Sequence, residues 1–341
     1  MKIIRIAVAV ALFFVFPLFA ADDWWQVFFT HPQSKTGVTA VTPEKALVKA
    51  IDEAKTSFYG AFYDISSAPV TNAVLAAKKR GVDTRMVTDD SNYNKLQVSQ
   101  LEAAGIPVVS DMRKGLMHNK FAIIDGEKVW TGSYNITDNC ENKNNNNAIL
   151  MRSPELADIF LAKFKDMFEL KNFGKRKNSK PFGEIGRKYY VKIEDTNINA
   201  YFSPNDNIEN IIVERIKKAK TSIRFMAFSF TSAPIAEAMI KKFKEGVAVS
   251  GVFEKKASDT KDSQFIKMKV EGIPVRLDSN KHAMHHKVII IDDYRLITGS
   301  YNFSRNASRN NDENCIMIDN AAISTLYIKE FENIFKIGTE K

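Results

Sequence analysis

The sequence predicts an α/β fold built from two copies of one unit, and three observations lead to this prediction. Short apolar runs, such as residues 121–124 and 288–291, are typical of strands that are buried on both faces. Helical stripes of apolar residues alternate with these runs, which is the pattern of sheets covered by helices. Polar motifs recur at a nearly constant spacing, and 341 residues are enough for two domains.

Helices and strands follow the same order in both halves. A first helix is predicted to begin at Pro43, because proline suits the first helical position, and its counterpart has an apolar stripe beginning at Ile208. Residues 28–29 and 201–202 are predicted to begin the first strand of each half. The other predicted strands are residues 58–63, 82–87, 121–124 and 129–131, with counterparts at 223–230, 247–253, 288–291 and 296–298. Residues 154–168 and 321–335 are predicted to close the halves as helices.

The spacing of the repeat changes once along the chain. The tripeptide Ser-Ala-Pro begins at positions 67 and 232, whereas the later Gly-Ile-Pro-Val begins at positions 105 and 272, which are slightly further apart. The second copy therefore gains two residues between these points, which we place around residues 255–263. A register this steady over most of each half indicates a duplicated domain.

Composition and the repeat divide the chain into four parts. Residues 1–21 are predicted to be a signal peptide, 22–172 the first domain, 173–196 a basic linker and 197–341 the second domain. The linker's basic cluster at residues 175–177 is expected to be solvated, with guidance of a polyanion as the alternative. The Asn-rich stretch at residues 139–147 is predicted to be a loop.

The first residues match the layout of a secretory signal peptide. Lys2 and Arg5 precede an apolar run that ends at Ala20 and Ala21. We therefore expect an exported protein, either periplasmic or secreted, with an uncleaved membrane anchor as the alternative. The formal net charge of +9 suits anionic partners such as nucleic acid or acidic lipid headgroups, although a basic but inert surface explains the charge equally well.

One polar motif occurs twice and carries the chemistry. Its first copy comprises His118, Lys120, Asp125, Ser133 and Asn135, and its second copy comprises His285, Lys287, Asp292, Ser300 and Asn302. Side chains at i and i+2 of a strand share a face, so each histidine is expected to point the same way as its lysine. Two imidazoles, two ammonium groups and four neutral hydrogen-bonding groups suit a bound phosphate. One imidazole can attack phosphorus while the other protonates the leaving oxygen.

The remaining histidines and the two cysteines give weaker signals. The histidines at positions 282, 285 and 286 lie close together, but the first copy has no matching trio, so we do not expect a metal site. His31 is expected to be an ordinary surface histidine. Cys140 and Cys315 are not at equivalent positions of the two copies, so we expect two unpaired thiols, with a disulfide as the alternative.

The doubled motif, His-x-Lys and Asp followed by Gly-Ser-x-Asn, resembles the phospholipase D superfamily over nearly the whole mature chain. The resemblance implies two α/β domains, with mixed sheets flanked by helices, that face each other across a pseudo-twofold axis with one active site at their junction. It also implies a covalent phosphohistidine intermediate, no cofactor and no metal. The residues that it assigns to holding the phosphate are Lys120, Lys287, Asn135 and Asn302. The two aspartates of the motif are implied to be supporting carboxylates.

The two copies differ at one position that bears on mechanism. Members of this superfamily often carry a glutamate beyond the Gly-Ser-x-Asn element, and it orients a histidine. The second copy has Glu313 there, whereas the equivalent position beyond the first motif glycine is Asn146. A carboxylate beside an imidazole stabilises its cation. We therefore expect Glu313 to reach across the junction to His118, with His118 as nucleophile and His285 as acid, and the reverse assignment stays open.

Three functions fit the motif. The first is phospholipase D-type hydrolysis of a phospholipid headgroup ester, with transfer to an alcohol as a variant. The second is an exported, metal-independent nuclease that acts on DNA or RNA with the same site. The third, a non-catalytic module that binds anionic lipid or nucleic acid, is disfavoured because both histidine–lysine pairs are intact. Membrane contact is expected to be peripheral, and a monomer is expected because one chain supplies both half-sites.

Overall fold

The computed structural model describes residues 24–32, 41–175 and 189–340. The predicted signal peptide at residues 1–21 lies outside these ranges, and so do residues 176 and 177 of the predicted basic cluster.

The first half contains eight strands and five α-helices among its described residues. In chain order they are β1 Trp25–Phe29, α1 Pro43–Asp52, β2 Ser57–Phe62, α2 Ala68–Lys79, β3 Asp83–Thr88, α3 Leu96–Ala103, β4 Val108–Ser110, β5 Lys120–Ile124, β6 Lys128–Gly132, α4 Asp138–Asn142, β7 Asn144–Asn145, β8 Asn147–Arg152 and α5 Pro154–Phe168. Residues 90–92 form a 3-10 turn.

Among its described residues, the second half repeats this order with three differences: it adds the strand β9 and the short helix α8, and its two-residue strand β14 lies before β15, whereas β7 lies before β8. Its elements are β9 Tyr190–Ile193, β10 Thr196–Ser203, α6 Ile208–Lys217, β11 Ser222–Ala227, α7 Ala233–Lys244, β12 Ala248–Phe253, α8 Lys255–Ser258, α9 Phe265–Val270, β13 Val275–Leu277, β14 Ala283–Met284, β15 Lys287–Ile291, β16 Arg295–Gly299, α10 Arg305–Arg309, β17 Glu313–Asp319 and α11 Ala321–Ile337. The helix α8 falls at the predicted two-residue insertion, where the first half has only the 3-10 turn.

The helices begin where the sequence supplies a cap. Thr42 and Ser153 each accept a hydrogen bond from the backbone N–H three residues later, and Pro43 and Pro154 fill the first helical positions. A side-chain oxygen at this place satisfies a backbone donor that has no partner inside the helix. The predicted starts of α1 and α5 are therefore confirmed.

The two sheets share one strand order. The first is β1-β8-β6-β5-β2-β3-β4, and the second is β13-β12-β11-β15-β16-β17-β10-β9. In each sheet three strands are parallel, namely β2, β3 and β4 or β11, β12 and β13. The strand that carries the motif, β5 or β15, runs antiparallel to its neighbour in the parallel set. This architecture, with mixed sheets flanked by helices, confirms the predicted fold class.

A common core joins the two halves. Phe121 and Phe160 of the first half pack edge to face against Phe202 of the second, with ring centroids 6.4 and 5.3 Å away. The same cluster of buried side chains includes Ile316 and Tyr327. Separate clusters fill the outer side of each sheet. The halves therefore form one packed body rather than two domains that only the chain connects.

The structure differs from the predictions at two irregular segments. The Asn-rich stretch is not a loop, since it forms α4, β7 and the start of β8, and residues 145–147 are buried. Composition misled here because these asparagines find hydrogen-bond partners in the other half of the molecule. Within the predicted linker, residues 190–193 form the strand β9, which pairs with β10 at the edge of the second sheet, and residues 176–188 lie outside the described ranges.

The cysteines and the helix lengths bear on two further expectations. Cys140 and Cys315 are both buried and unpaired, which confirms the expectation of two free thiols. No helix among the described residues is long and apolar enough to cross a membrane.

Candidate active site

Backbone contacts between the halves bring the two histidine motifs to the junction. The N–H of His118 donates to the carbonyl of Asp312 (2.8 Å), and the N–H of His285 donates to the carbonyl of Asn145 (2.8 Å). The short strand β14, which precedes His285, pairs with β7 of the first half. Each histidine is therefore fixed by the main chain of the opposite half.

The two lysines lie beside their histidines, as the strand spacing predicts. Lys120 Nζ donates to the carbonyl of His118 (2.7 Å), and Lys287 Nζ donates to that of His285 (2.8 Å). Both lysines are fully buried. Burial lowers the pKa of Lys120 to about 8, and it lowers the pKa of Lys287 well below the usual value, with the neighbouring Lys120 charge adding to the effect. A phosphate between them would restore the charge balance.

Glu313 reaches across the junction to His118, as the sequence predicts. His118 Nδ1 donates to Glu313 Oε2 (2.7 Å), which also accepts a hydrogen bond from the Ser300 hydroxyl (2.7 Å). Asn311 Nδ2 donates to the other carboxyl oxygen (3.1 Å). Burial raises the pKa of the Glu313 carboxyl to about 8, and the charge of Lys120 opposes this increase.

His285 has the equivalent contact, but to a neutral group. Its Nδ1 atom lies 2.9 Å from Asn146 Oδ1 and 3.1 Å from the carbonyl of Ser133. Both partners can only accept, so Nδ1 carries the proton and Nε2 carries the lone pair. The Ser133 hydroxyl donates to Asn146 (3.1 Å) and holds it in place. The predicted asymmetry of the site is confirmed.

Both imidazoles are neutral. Burial lowers the pKa of His118 and of His285 well below the usual value, and the charges of Lys120 and Lys287 lower both further. A proton on His118 would also lower the pKa of His285. The pKa of each histidine responds to the charges of both lysines, so the two imidazoles and the two ammonium groups lie close together. A neutral imidazole with a free Nε2 lone pair is ready to act as a nucleophile.

The motif's serines and asparagines have different roles at the site. The hydroxyls of Ser133 and Ser300 hold Asn146 and Glu313, so the serines support the histidines rather than face a ligand. The carbonyl oxygens of the other pair, Asn135 and Asn302, are buried and have no hydrogen-bond partner among the described residues. The amide groups of this pair are therefore available to a bound substrate.

The motif's glycines are required by close packing. A Cβ atom on Gly132 would lie 2.3 Å from the carbonyl oxygen of Asn147, and a Cβ on Gly299 would lie 2.4 Å from that of Asn314. Both glycines also have positive φ angles, 157° and 141°. Only glycine fits where β6 and β16 pass this close to their neighbours.

The structure does not bring the motif's aspartates to the site, and their predicted role as supporting carboxylates is corrected. Asp125 and Asp292 follow β5 and β15 at the end remote from the lysines. Asp125 accepts hydrogen bonds from the backbone N–H groups of Lys55, Thr56 and Ser57. Asp292 makes the same set of bonds in the second half. Both aspartates therefore stabilise a turn.

Several residues at the site were missed by sequence reasoning. Asn147 Nδ2 donates to His286 Nδ1 (2.9 Å) and Asn147 Oδ1 accepts from the Thr298 hydroxyl (2.9 Å), both in the other half. Its counterpart in the second half, Asn314, contacts the first half in turn: its Oδ1 atom accepts from the backbone N–H of Lys120 (3.2 Å). The two asparagines are separated by the same number of residues as the two motifs, and this equal spacing could have identified them as site residues. The composition around Asn147 is that of a polar loop, which hid this signal.

The histidines outside the motif have structural partners. His286 Nε2 lies 3.2 Å from Glu330 Oε1, and His31 Nδ1 lies 3.4 Å from the other carboxyl oxygen of Glu330. The side chain of His31 is 40% exposed, as expected of a surface histidine, but it pairs with a buried carboxylate. His286 is engaged at both ring nitrogens, and the trio at positions 282, 285 and 286, all within the described residues, forms no group that could hold a metal ion.

One acidic group among the described residues has the spacing of metal ligands, namely Asp89, Asp90 and Asp111. Its oxygens already serve the loop, since Asp89 accepts from the N–H of Met117 (2.9 Å) and Asp111 accepts from that of Asp90 (3.0 Å). Asp278, the counterpart of Asp111, makes the same bond to the N–H of a lysine at position 255. The group is therefore part of a repeated loop structure.

The family model described as "Cardiolipin synthase, PLD-like domain" matches residues 47–168 and 212–335. The chain belongs to the phospholipase D-like family. A phospholipase D of Rickettsia conorii is 38% identical over 119 residues, which are 34% of this phospholipase D-like chain and 60% of that protein. A mitochondrial cardiolipin hydrolase of Mus musculus is 34% identical over 125 residues, 36% of this chain and 57% of that protein. The chain therefore spans less than two thirds of the length of these relatives.

The fold is shared with a solved structure over almost the whole chain. The phosphatidylserine synthase of Haemophilus influenzae has a TM-score of 0.68 and 14% identity, over 92% of this chain and 87% of that one. Together with the doubled family match, this confirms the resemblance that the sequence motif indicated. The protein is a member of the phospholipase D-like family with an internal repeat.

Proposed function

We propose that this protein hydrolyses the headgroup ester of a phospholipid through a phosphohistidine intermediate. The observation that carries the proposal is the crossed pair of contacts, His118 with Glu313 and His285 with Asn146. Each contact holds an imidazole by Nδ1, and neither Nε2 atom has a partner among the described residues. An attacking nitrogen and a proton donor on opposite sides of one phosphorus atom need this arrangement.

Once the substrate is bound, His285 Nε2 takes up a proton from solvent. In the first step, His118 Nε2 attacks phosphorus while this proton passes from His285 to the leaving oxygen. A P–N bond forms, the P–O bond to the headgroup breaks, and the headgroup leaves as an alcohol. Burial keeps the pKa of His285 low, but the negative charge of a bound phosphate raises the pKa of an adjacent imidazole. Lys120 and Lys287 stabilise the charge that develops on the phosphoryl oxygens.

In the second step, water replaces the histidine. His285, now neutral, accepts a proton from the water molecule that attacks phosphorus, and the P–N bond breaks. Glu313 accepts a hydrogen bond from the Nδ1–H of His118 in both steps and stabilises the cationic ring of the intermediate. When the phosphate product leaves, His285 releases this proton to solvent and both imidazoles are neutral again.

The names of the relatives favour a lipid substrate. Proteins named phospholipase D and mitochondrial cardiolipin hydrolase match this chain at 38% and 34% identity. The net charge of +9 favours the alternative, a nuclease that uses the same chemistry on DNA or RNA. Because both substrates are phosphodiesters, the same proposed chemistry applies to either.

A pair of assays in the presence of chelator tests the proposal. Purified protein is incubated with phosphatidylcholine vesicles and, separately, with plasmid DNA. Release of choline without nicking of the plasmid is the expected result, and nicking without choline would support the nuclease. His118→Ala should abolish turnover, whereas unchanged function in this variant would support the non-catalytic binding module. Activity that is present without chelator and disappears when chelator is added would contradict a metal-independent mechanism.

The N-terminal segment suggests where the reaction takes place. We propose that the protein is exported and cleaved near Ala20 or Ala21, because Lys2 and Arg5 precede an apolar run there. Mass spectrometry of the protein recovered from its native compartment tests this. An intact N-terminus on membrane-bound protein would favour the uncleaved anchor instead.

A further inference from the structure

Two aromatic rings stand beside the two histidines at equivalent places. Tyr63 directly follows β2, and Phe228 directly follows β11, the counterpart of β2 in the second half. The Tyr63 ring lies edge-on to His118, with centroids 5.1 Å apart, and the Phe228 ring lies edge-on to His285, with centroids 4.6 Å apart. Each motif therefore has its own aromatic wall.

The same rings also cover the lysines. Lys120 Nζ lies 5.3 Å from the centroid of Tyr63, and Lys287 Nζ lies 4.6 Å from that of Phe228. Both rings belong to partly exposed residues, whereas the histidines and lysines are buried. Each ring therefore contacts a buried histidine–lysine pair while its own residue is partly exposed, so a substituent of a bound phosphate can reach it.

The two walls differ by one hydroxyl group. Tyr63 has a phenolic O–H that can donate and accept a hydrogen bond, whereas Phe228 offers only carbon atoms. The backbone around them is alike, since the N–H of Tyr63 donates to the carbonyl of Asn119 (3.0 Å) and that of Phe228 donates to the carbonyl of His286 (2.8 Å). Exchanging Tyr and Phe at either place therefore changes the wall and leaves the main-chain contact.

In-line attack assigns the walls to different parts of the substrate. If His118 attacks phosphorus, the leaving oxygen is on the opposite side, beside His285 and thus beside Phe228. The same position receives the molecule that attacks the phosphohistidine in the second step. This inference rests on the proposed role of His118 as nucleophile, and it holds for any phosphodiester.

We propose that Phe228 is a specificity-determining residue that selects the leaving group and the acceptor. When an alcohol R–OH replaces water, its proton passes to His285, its oxygen bonds to phosphorus, and the P–N bond to His118 breaks. The apolar ring of Phe228 contacts the carbon chain of an alcohol and offers no hydrogen bond to water. It therefore favours transfer to an alcohol over hydrolysis, relative to a polar residue at this place. Tyr63 lies on the other side and does not touch the acceptor.

The partition between the two products tests this assignment. Bis(p-nitrophenyl) phosphate is cleaved in buffer with added ethanol, and the ratio of ethyl p-nitrophenyl phosphate to p-nitrophenyl phosphate is measured. Phe228→Tyr should lower this ratio about threefold or more, which is the effect of one added hydrogen bond to water. Tyr63→Phe is the matched control and should leave the ratio unchanged, whatever its rate. Because the ratio is measured on turnovers alone, a variant that folds poorly does not alter it.

An unchanged product ratio in Phe228→Tyr would overturn the proposal. A shift of the ratio that occurs only in Tyr63→Phe would also overturn it, because that result places the acceptor on the His118 side. The same partition measured with phosphatidylcholine, as phosphatidylethanol against phosphatidic acid, separates this inference from the lipid proposal. A shift with the soluble diester and no cleavage of the lipid supports the role of Phe228 and contradicts the lipid substrate. Cleavage of the lipid with no shift in the product ratio supports the lipid substrate and contradicts the role of Phe228. Absence of turnover with both donors contradicts both.

Discussion

Glu313 and Asn146 occupy equivalent positions and contact equivalent histidines, but only Glu313 can carry a charge. A carboxylate stabilises the positive ring that results when Nε2 bonds to phosphorus. An amide orients the ring and fixes its tautomer but supplies no charge. The same backbone position therefore gives the two histidines different chemistry. The sequence predicted this difference, because the two copies align without a gap from the motif glycine to this position.

A narrow pH optimum is expected from two of these groups. Burial raises the pKa of the Glu313 carboxyl to about 8, so it ionises, and can stabilise the His118 cation, only as the pH rises through this value. Burial lowers the pKa of Lys120 to about 8, so its charge is lost as the pH rises through the same region. We expect a bell-shaped profile of kcat/KM with its maximum at about pH 8, whose limbs belong to the coupled site. Glu313→Gln should lower kcat and remove the acidic limb, and an acidic limb that persists in this variant would contradict the assignment.

The unpartnered asparagines should affect catalysis without affecting stability. The carbonyl oxygens of Asn135 and Asn302 are buried without a partner among the described residues, so removing either side chain breaks no hydrogen bond of that atom. Either substitution by Ala also removes an Nδ2 group that can donate to a phosphoryl oxygen, and it should lower kcat/KM about 10²- to 10³-fold, the usual effect of losing one donor to a developing charge. The melting temperature should stay the same or rise slightly. Asn147→Ala is the matched control, because Asn147 joins the halves and its loss should lower the melting temperature.

At the scale of elements, the strands β5 and β15 separate chemistry from stability along their length. The start of each strand holds a lysine at the junction, and the residue after each strand is an aspartate that binds a turn. The sequence motif contains residues from both ends of the strand, which is why the aspartates were predicted to belong to the site. Spacing along the chain cannot show which end of such a short strand faces the ligand.

Asp125→Ala should therefore lower stability and leave the chemistry intact. The carboxylate accepts hydrogen bonds from the N–H groups of Lys55, Thr56 and Ser57, at 3.1, 2.7 and 3.0 Å. Because the site is partly solvated, we expect a loss of about 1–2 kcal/mol in the free energy of unfolding. The kcat of the folded fraction should be unchanged at a temperature well below the transition. A large fall in kcat with an unaltered unfolding curve would restore the aspartate to the catalytic site.

At the scale of the whole molecule, the sequence predicted the helices and strands that form from local interactions within each half. The start of α5 at Pro154 and the buried strands near Phe121 follow from capping and apolar runs, and both are local properties. The burial of residues 145–147 could not be predicted, since a polar stretch is buried only when another part of the chain supplies hydrogen bonds. The contact of Glu313 with His118 was predictable because the repeat and the family resemblance together define a face-to-face arrangement.

The shared core predicts that neither half is stable alone. Phe121 and Phe160 pack against Phe202, and a chain divided between Lys175 and Tyr189 would expose both sides of this contact to water. We expect each half, expressed separately, to aggregate or to pair with its own copy. A pair of first halves would match each His118 with the neutral Asn146 and lack Glu313, so its activity should be low. Co-expressed halves should copurify and recover activity, as size-exclusion chromatography and a phosphodiester assay can measure. Two separate halves that are monomeric and fold cooperatively would show that the common core is not required for folding.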